Sequence, residues 1–115
     1  MTIYIVDDNC HLSEFLTCLL ESDGHTVHSF TRPEDALSHM QVSQIQPSIL
    51  ITDYNMPAMN GYNLHLQTLQ HAPNVKTIVI SGRNVSGEIG DLRFVQKPFA
   101  PNELSQLVKS MKEEL

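Results

Sequence analysis

Basic residues are scarce in this chain. Seven Lys and Arg stand against thirteen Asp and Glu, a formal charge of -6 with a pI near 5.3. So small a positive footprint argues against binding phosphate backbones, and direct nucleic-acid contact is not expected. Long apolar runs are also missing, since none approaches the roughly 20 residues that a membrane span needs. The first strand-like segment begins at Thr2, which leaves no room for a signal peptide, and a cytoplasmic protein without membrane insertion is expected. Neither a glycine-rich dinucleotide fingerprint nor a P-loop occurs, which argues against a nucleotide-binding module.

Cysteine is nearly absent. Cys10 and Cys18 fall in one predicted helix, where eight residues of separation put them about 12 Å apart along the axis, too far to bridge. The six histidines lack the spacing of a zinc site. Only His25 and His28 are close, and in an extended segment they point to opposite faces, so the histidines read as scattered surface residues.

What is present is enough for one domain, residues 1–115, with 41% hydrophobic content to build a single core. Thr2 to Val6, Ser48 to Thr52 and Lys76 to Ile80 are short, nearly unbroken apolar runs, the pattern of strands covered on both faces. Thr26 to Phe30 and Arg93 to Gln96 are half polar and suit the two edges. Leu12, Phe15, Leu16, Leu19 and Leu20 repeat at helical spacing, as do Leu104, Leu107, Val108 and Met111 after Pro101. Thr31, Pro33 and Glu34 predict a capping box that opens a helix running through Met40. A less regular helix is expected from about Gly61 to Gln70. Alternating strands and helices imply right-handed crossovers, an α/β fold and a parallel sheet covered on both faces. Between Ser81 and Leu92, Gly82, Gly87 and Gly90 would each cost a helix about 1 kcal/mol relative to alanine, so only a brief, strained helix is expected there.

Ligands of open α/β sheets bind beyond the carboxyl ends of the strands. Asp7 and Asp8 follow the first strand, Asp53 the third, Ser81 the fourth and Lys97 the fifth. Three carboxylates brought together repel, and a divalent cation removes that conflict. Oxygen donors without thiolate or imidazole point to Mg²⁺. A lysine and a serine hydroxyl would supply further partners for phosphoryl oxygens, and the set reads as a phosphoryl-transfer site.

Over essentially its whole length the chain resembles the receiver domains of two-component response regulators. The resemblance rests on IVDDN, ITDYNMPAMNGY, the Ser81-Gly82 pair and FVQKPF. It implies a flavodoxin-like sheet in the order 2-1-3-4-5 and a phosphoryl group passed from a histidine kinase or phosphotransfer protein to Asp53. Asp8 and Asp53 would bind Mg²⁺ directly, Asp7 largely through water and Asn55 through its backbone carbonyl. Lys97 and Ser81 would contact the phosphoryl group, and Phe94 would be the aromatic switch controlling an output protein or domain. The Lys97-Pro98 bond is often cis in such domains. The stretch from Ser81 to Lys97 is shorter than the family pattern, which predicts a shortened or irregular fourth helix and altered partner geometry.

Blander readings compete. Asp7 or Asp8 could cap the first helix. Ser81 before Gly82 could be an ordinary turn, and Phe94 could simply pack in its edge strand. A phosphorylation-independent pseudo-receiver would keep the fold without the chemistry. A phosphohydrolase acting on a diffusible substrate lacks room for an enclosing cap, and no second aspartate follows Asp53 closely.

Overall fold

The computed structural model describes residues 1–114. Five strands, β1 (Thr2–Val6), β2 (Thr26–Phe30), β3 (Ile49–Asp53), β4 (Lys76–Ser81) and β5 (Arg93–Gln96), alternate with helices α1 (Cys10–Ser22), α2 (Pro33–Ser43), α3 (Gly61–Thr68) and α4 (Pro101–Glu113). All strand pairs are parallel, in the order β2-β1-β3-β4-β5. The expected α/β architecture and strand order are therefore those observed.

The period of two along each strand divides the core. Ile3, Ile5, Ile49, Ile51, Ile78 and Ile80 face one side, where Leu16 and Leu20 of α1 and Leu104, Val108 and Met111 of α4 cover them. The alternate residues Tyr4, Val6 and Leu50 face the other side, against Ala36 and Met40 of α2 and Leu64 of α3. Register keeps like with like across the sheet, pairing Ile5 with Ile51 and Ile51 with Ile78. Burial on both faces is why these three strands are apolar throughout, whereas edge strand β5 exposes Arg93 and Gln96.

Several local expectations are corrected. β3 and β4 each run one residue further than the apolar pattern, so Asp53 and Ser81 are the last residues of their strands. Thr31 does not cap α2. Arg32 holds the cap position without a side-chain cap bond and instead pairs with Glu34 at 2.6 Å, which removes the box partner. α2 continues past Met40 to Ser43 and stops where Gln44 turns left-handed at φ 57°. Phe15 is 47% exposed. It sits about 100° around α1 from the buried Leu16, outside the arc that meets the sheet.

The histidines are corrected too, because His25, His28, His39, His65 and His71 are half-buried rather than superficial. Tyr4 Oη lies 2.6 Å from His39 Nδ1, and the His28 and His39 rings stand 4.9 Å apart beside Phe30. Burial on the α2 face lowers the pKa of His28, and the nearby His39 adds to the effect.

The segment between β4 and β5 forms one 3₁₀ turn, Ser86–Glu88, where a helix of several turns would need more residues. Val85 and Ile89 still bury completely, closing a third cluster with Val79, Tyr54, Tyr62, Leu92 and Phe94. Apolar anchoring thus survives the loss of helical hydrogen bonds. Among the described residues, no helix is long and apolar enough to cross a membrane.

Candidate functional site

The first acidic pair is set in place by backbone pairing. Asp7 N donates to Phe30 O at 3.1 Å, extending the β1–β2 ladder by one bond and carrying Asp7 into full burial. Its Oδ1 accepts from Asn9 N at 2.8 Å, and Ser13 Oγ donates to its carbonyl at 3.2 Å. Capping of α1 falls to Asn9, whose Oδ1 accepts from His11 N and Leu12 N at 3.1 and 3.2 Å. Neither Asp7 nor Asp8 is spent as a helix cap.

Asp53 ends β3, buried between β1 and β4 in the middle of the rim. The chain after it folds back. Tyr54 N donates to Ile80 O at 2.9 Å and Gly61 N to Tyr54 O at 2.8 Å. Ala58 bends the loop at φ 77°. A Cβ at Gly61 would stand 2.6 Å from the Asp53 carbonyl oxygen, so glycine is required by close approach as well as by the turn that Asn60-Gly61 signals. Asn55 lies exposed in this loop.

Lys97 arrives from β5, with Lys97 N donating to Ser81 O at 2.8 Å and a cis bond to Pro98. Its Nζ stands 3.2 Å from Asp7 Oδ2 and 3.8 Å from Asp53 Oδ2. One oxygen from each of Asp7, Asp8 and Asp53 lies within 4.8 Å of the others. Among the described residues this is the single group of three or more acidic, histidine or cysteine ligand atoms so close together.

Electrostatics express the crowding. Burial, and after it the Asp7 carboxylate, push the Asp53 pKa up to about 6, with Lys97 opposing and exposed Asp8 adding to the rise. The donor set is all hard oxygen, with two buried members and one exposed member, and it fits a hydrated Mg²⁺ better than a soft-ligand metal.

Ser81 is buried at the end of β4, and its Oγ accepts from Arg83 N at 3.2 Å. Phe94 is half-buried in the cluster with Val85 and Ile89, to one side of the carboxylates. The site is a rim rather than a cavity. A groove of about 660 Å³ opens at the other end of the sheet around Pro47, Ser48, Pro73 and Lys76. Sequence reasoning missed Arg83, whose guanidinium carbon lies 5.5 Å from the centre of the Tyr54 ring and whose Nη1 donates to Glu88 Oε2 at 3.0 Å. Its position two residues after Ser81 was the available signal.

The family profile of the response regulator receiver domain matches residues 3–109. The chain belongs to this family. A receiver domain of this kind is similar to the transcriptional regulatory protein CssR of Bacillus subtilis, with 39% identity over 109 residues, 90% of this chain and 47% of that protein. Among solved structures, a response regulator receiver domain protein from Clostridium thermocellum superposes with a TM-score of 0.85 at 20% identity, covering 98% of this chain and 94% of that one. The receiver domain of the hybrid histidine kinase CckA does so at 0.83 and 25%, covering 96% and 98%. The receiver chain spans half or less of the length of the curated relatives it matches.

Proposed function

We propose that residues 1–115 act as one phosphoacceptor domain in the cytoplasm, taking a phosphoryl group from the phosphohistidine of a histidine kinase or phosphotransfer protein onto Asp53. The observation that carries this reading is the convergence of Asp7, Asp8 and Asp53 with the Lys97 ammonium. Asp53 and Asp8 would hold Mg²⁺ directly, Asp7 largely through water and Asn55 through its carbonyl. When bound, Mg²⁺ offsets the crowded negative charge and orients phosphoryl oxygens.

The chain's own residues supply the rest. An Asp53 carboxylate oxygen forms the new P–O bond as the P–N bond of the donor breaks, and the donor imidazole keeps the electron pair and takes a proton. Asp53 must be ionised to attack. With a pKa of about 6 it is mostly so at neutral pH, while desolvation leaves it a better nucleophile than a solvated aspartate. Lys97, anchored on Asp7, offers its ammonium to the incoming phosphoryl oxygens. Ser81 Oγ accepts from Arg83 N, which leaves its own proton free to donate to another oxygen. The product carries about 1.5 to 2 negative charges and three acceptor oxygens at one point where the carboxylate carried one charge, and the Ser81 loop with Phe94 would respond by population shift toward a state read by an output protein or domain.

The test is incubation with a small-molecule phosphodonor and Mg²⁺, followed by intact mass of wild type and Asp53→Asn. One added phosphoryl group in wild type alone is expected. No adduct overturns the proposal and leaves a phosphorylation-independent interaction module, while an adduct that survives Asp53→Asn overturns Asp53 as the acceptor.

A further inference from the structure

We infer that Arg83 is a second cation for the phosphoryl group, held in reserve by Glu88 and transferred to the phosphorylated Asp53. The inference rests on the phosphoacceptor reading and concerns a residue which that reading leaves without a task.

The geometry gives Arg83 two attachments of different kinds. Its guanidinium lies over the ring of Tyr54, the residue directly after Asp53, at 5.5 Å from the centroid. Its Nη1 meets Glu88 in the 3₁₀ turn at 3.0 Å. The contact with the ring carries the side chain from the Ser81 loop onto the residue after the acceptor. A guanidinium held over a ring by charge rather than by hydrogen bonds still has N–H groups to offer an acceptor. Glu88 is a weak choice, because the two side chains are 54% and 47% exposed and such pairs contribute little.

Before phosphorylation there is no reason to leave Glu88, since Lys97 already stands between Asp7 and Asp53. Afterwards the Asp53 side bears a dianion with three acceptors, and the fork of an arginine matches two of them at once. The backbone can follow. Gly82 has nothing within 4 Å of where a Cβ would be, and Arg83 N is bound to Ser81 Oγ, so a serine drawn toward the phosphoryl group brings Arg83 with it. The short β4–β5 segment would then exchange its Arg83–Glu88 pair for one with the charged Asp53, a change of partner that needs no helix there.

Beryllofluoride with Mg²⁺, a stable phosphoryl mimic, tests this on the full chain. In wild type the NMR signal of Arg83 Nε–Hε is expected to shift on addition, to a position that Glu88→Gln leaves unchanged. Arg83→Ala should weaken beryllofluoride binding about tenfold, the loss of one charge-assisted contact, and Glu88→Gln should tighten it slightly. Arg83→Lys should restore part of the affinity. Equal affinity of wild type and Arg83→Ala, or an Arg83 signal that keeps its Glu88 dependence when the mimic is bound, overturns the inference. If wild type takes neither beryllofluoride nor phosphoryl on Asp53, the failure belongs to the phosphoacceptor reading instead.

Discussion

Lys97 Nζ sits 3.2 Å from Asp7 Oδ2, joining residues ninety positions apart in the chain, and the Asp7 carboxylate is completely buried. The pair has a structural task as well as a chemical one, because a buried carboxylate deprived of its cation pays its full desolvation cost.

Lys97→Ala is therefore expected to destabilise the metal-free protein by about 1–3 kcal/mol, less than for a fully enclosed pair because Lys97 retains 27% exposure. Millimolar Mg²⁺ should recover more stability in the variant than in wild type. Urea unfolding with and without Mg²⁺ measures both. Equal Mg²⁺ effects would show that the carboxylates do not depend on Lys97 for their balance.

Asp53 makes the metal-free domain pH-sensitive in a predictable direction. Its folded pKa of about 6 exceeds the ordinary 3.8, so between those values the folded state binds more protons than the unfolded state and stability falls as pH rises. From about pH 5 to about pH 7.5 this one group should cost roughly 1–1.5 kcal/mol. Asp53→Asn should lose that part of the pH dependence. Identical pH profiles for the two proteins would contradict the raised pKa.

Gly61→Ala places a methyl group 2.6 Å from the Asp53 carbonyl oxygen and 3.1 Å from Thr52 Cγ2. Overpacking of this kind costs about 1–3 kcal/mol, and because the clash is with the acceptor's own backbone, phosphorylation from a small-molecule donor should slow as well. Gly82→Ala, with open space around it, should change stability by less than about 0.5 kcal/mol. Thermal melts and a phosphorylation time course on both variants separate the two cases.

Ile89 is fully buried although it follows a single 3₁₀ turn. Ile89→Ala should cost about 2–4 kcal/mol, as in a core, while amides of residues 82–92 exchange faster than those of α1 or α4 for want of helical hydrogen bonds. Slow exchange throughout that segment would indicate the full helix that its length and glycines argue against.

The order of elements, the apolar interior strands and the polar edges were legible because burial on one or two faces leaves a direct imprint of period two or none. The candidate residues were legible for a related reason, since a parallel sheet delivers every strand's carboxyl end to one rim whatever the loops do. Element ends were less so. Asp53 and Ser81 belong to their strands through backbone bonds that no hydropathy pattern encodes, and the Thr31 box failed because Arg32 competed for Glu34.

By itself, then, the sequence determined a doubly wound parallel domain with its acidic residues, serine and lysine at one end. Only the tertiary structure decided which carboxylate is desolvated, that Lys97 rests on Asp7 while reaching toward Asp53, and that Arg83 lies across Tyr54. Ångström separations and solvent exclusion arise from packing between segments distant in the chain, and those two quantities set the strength of every charge interaction at the rim.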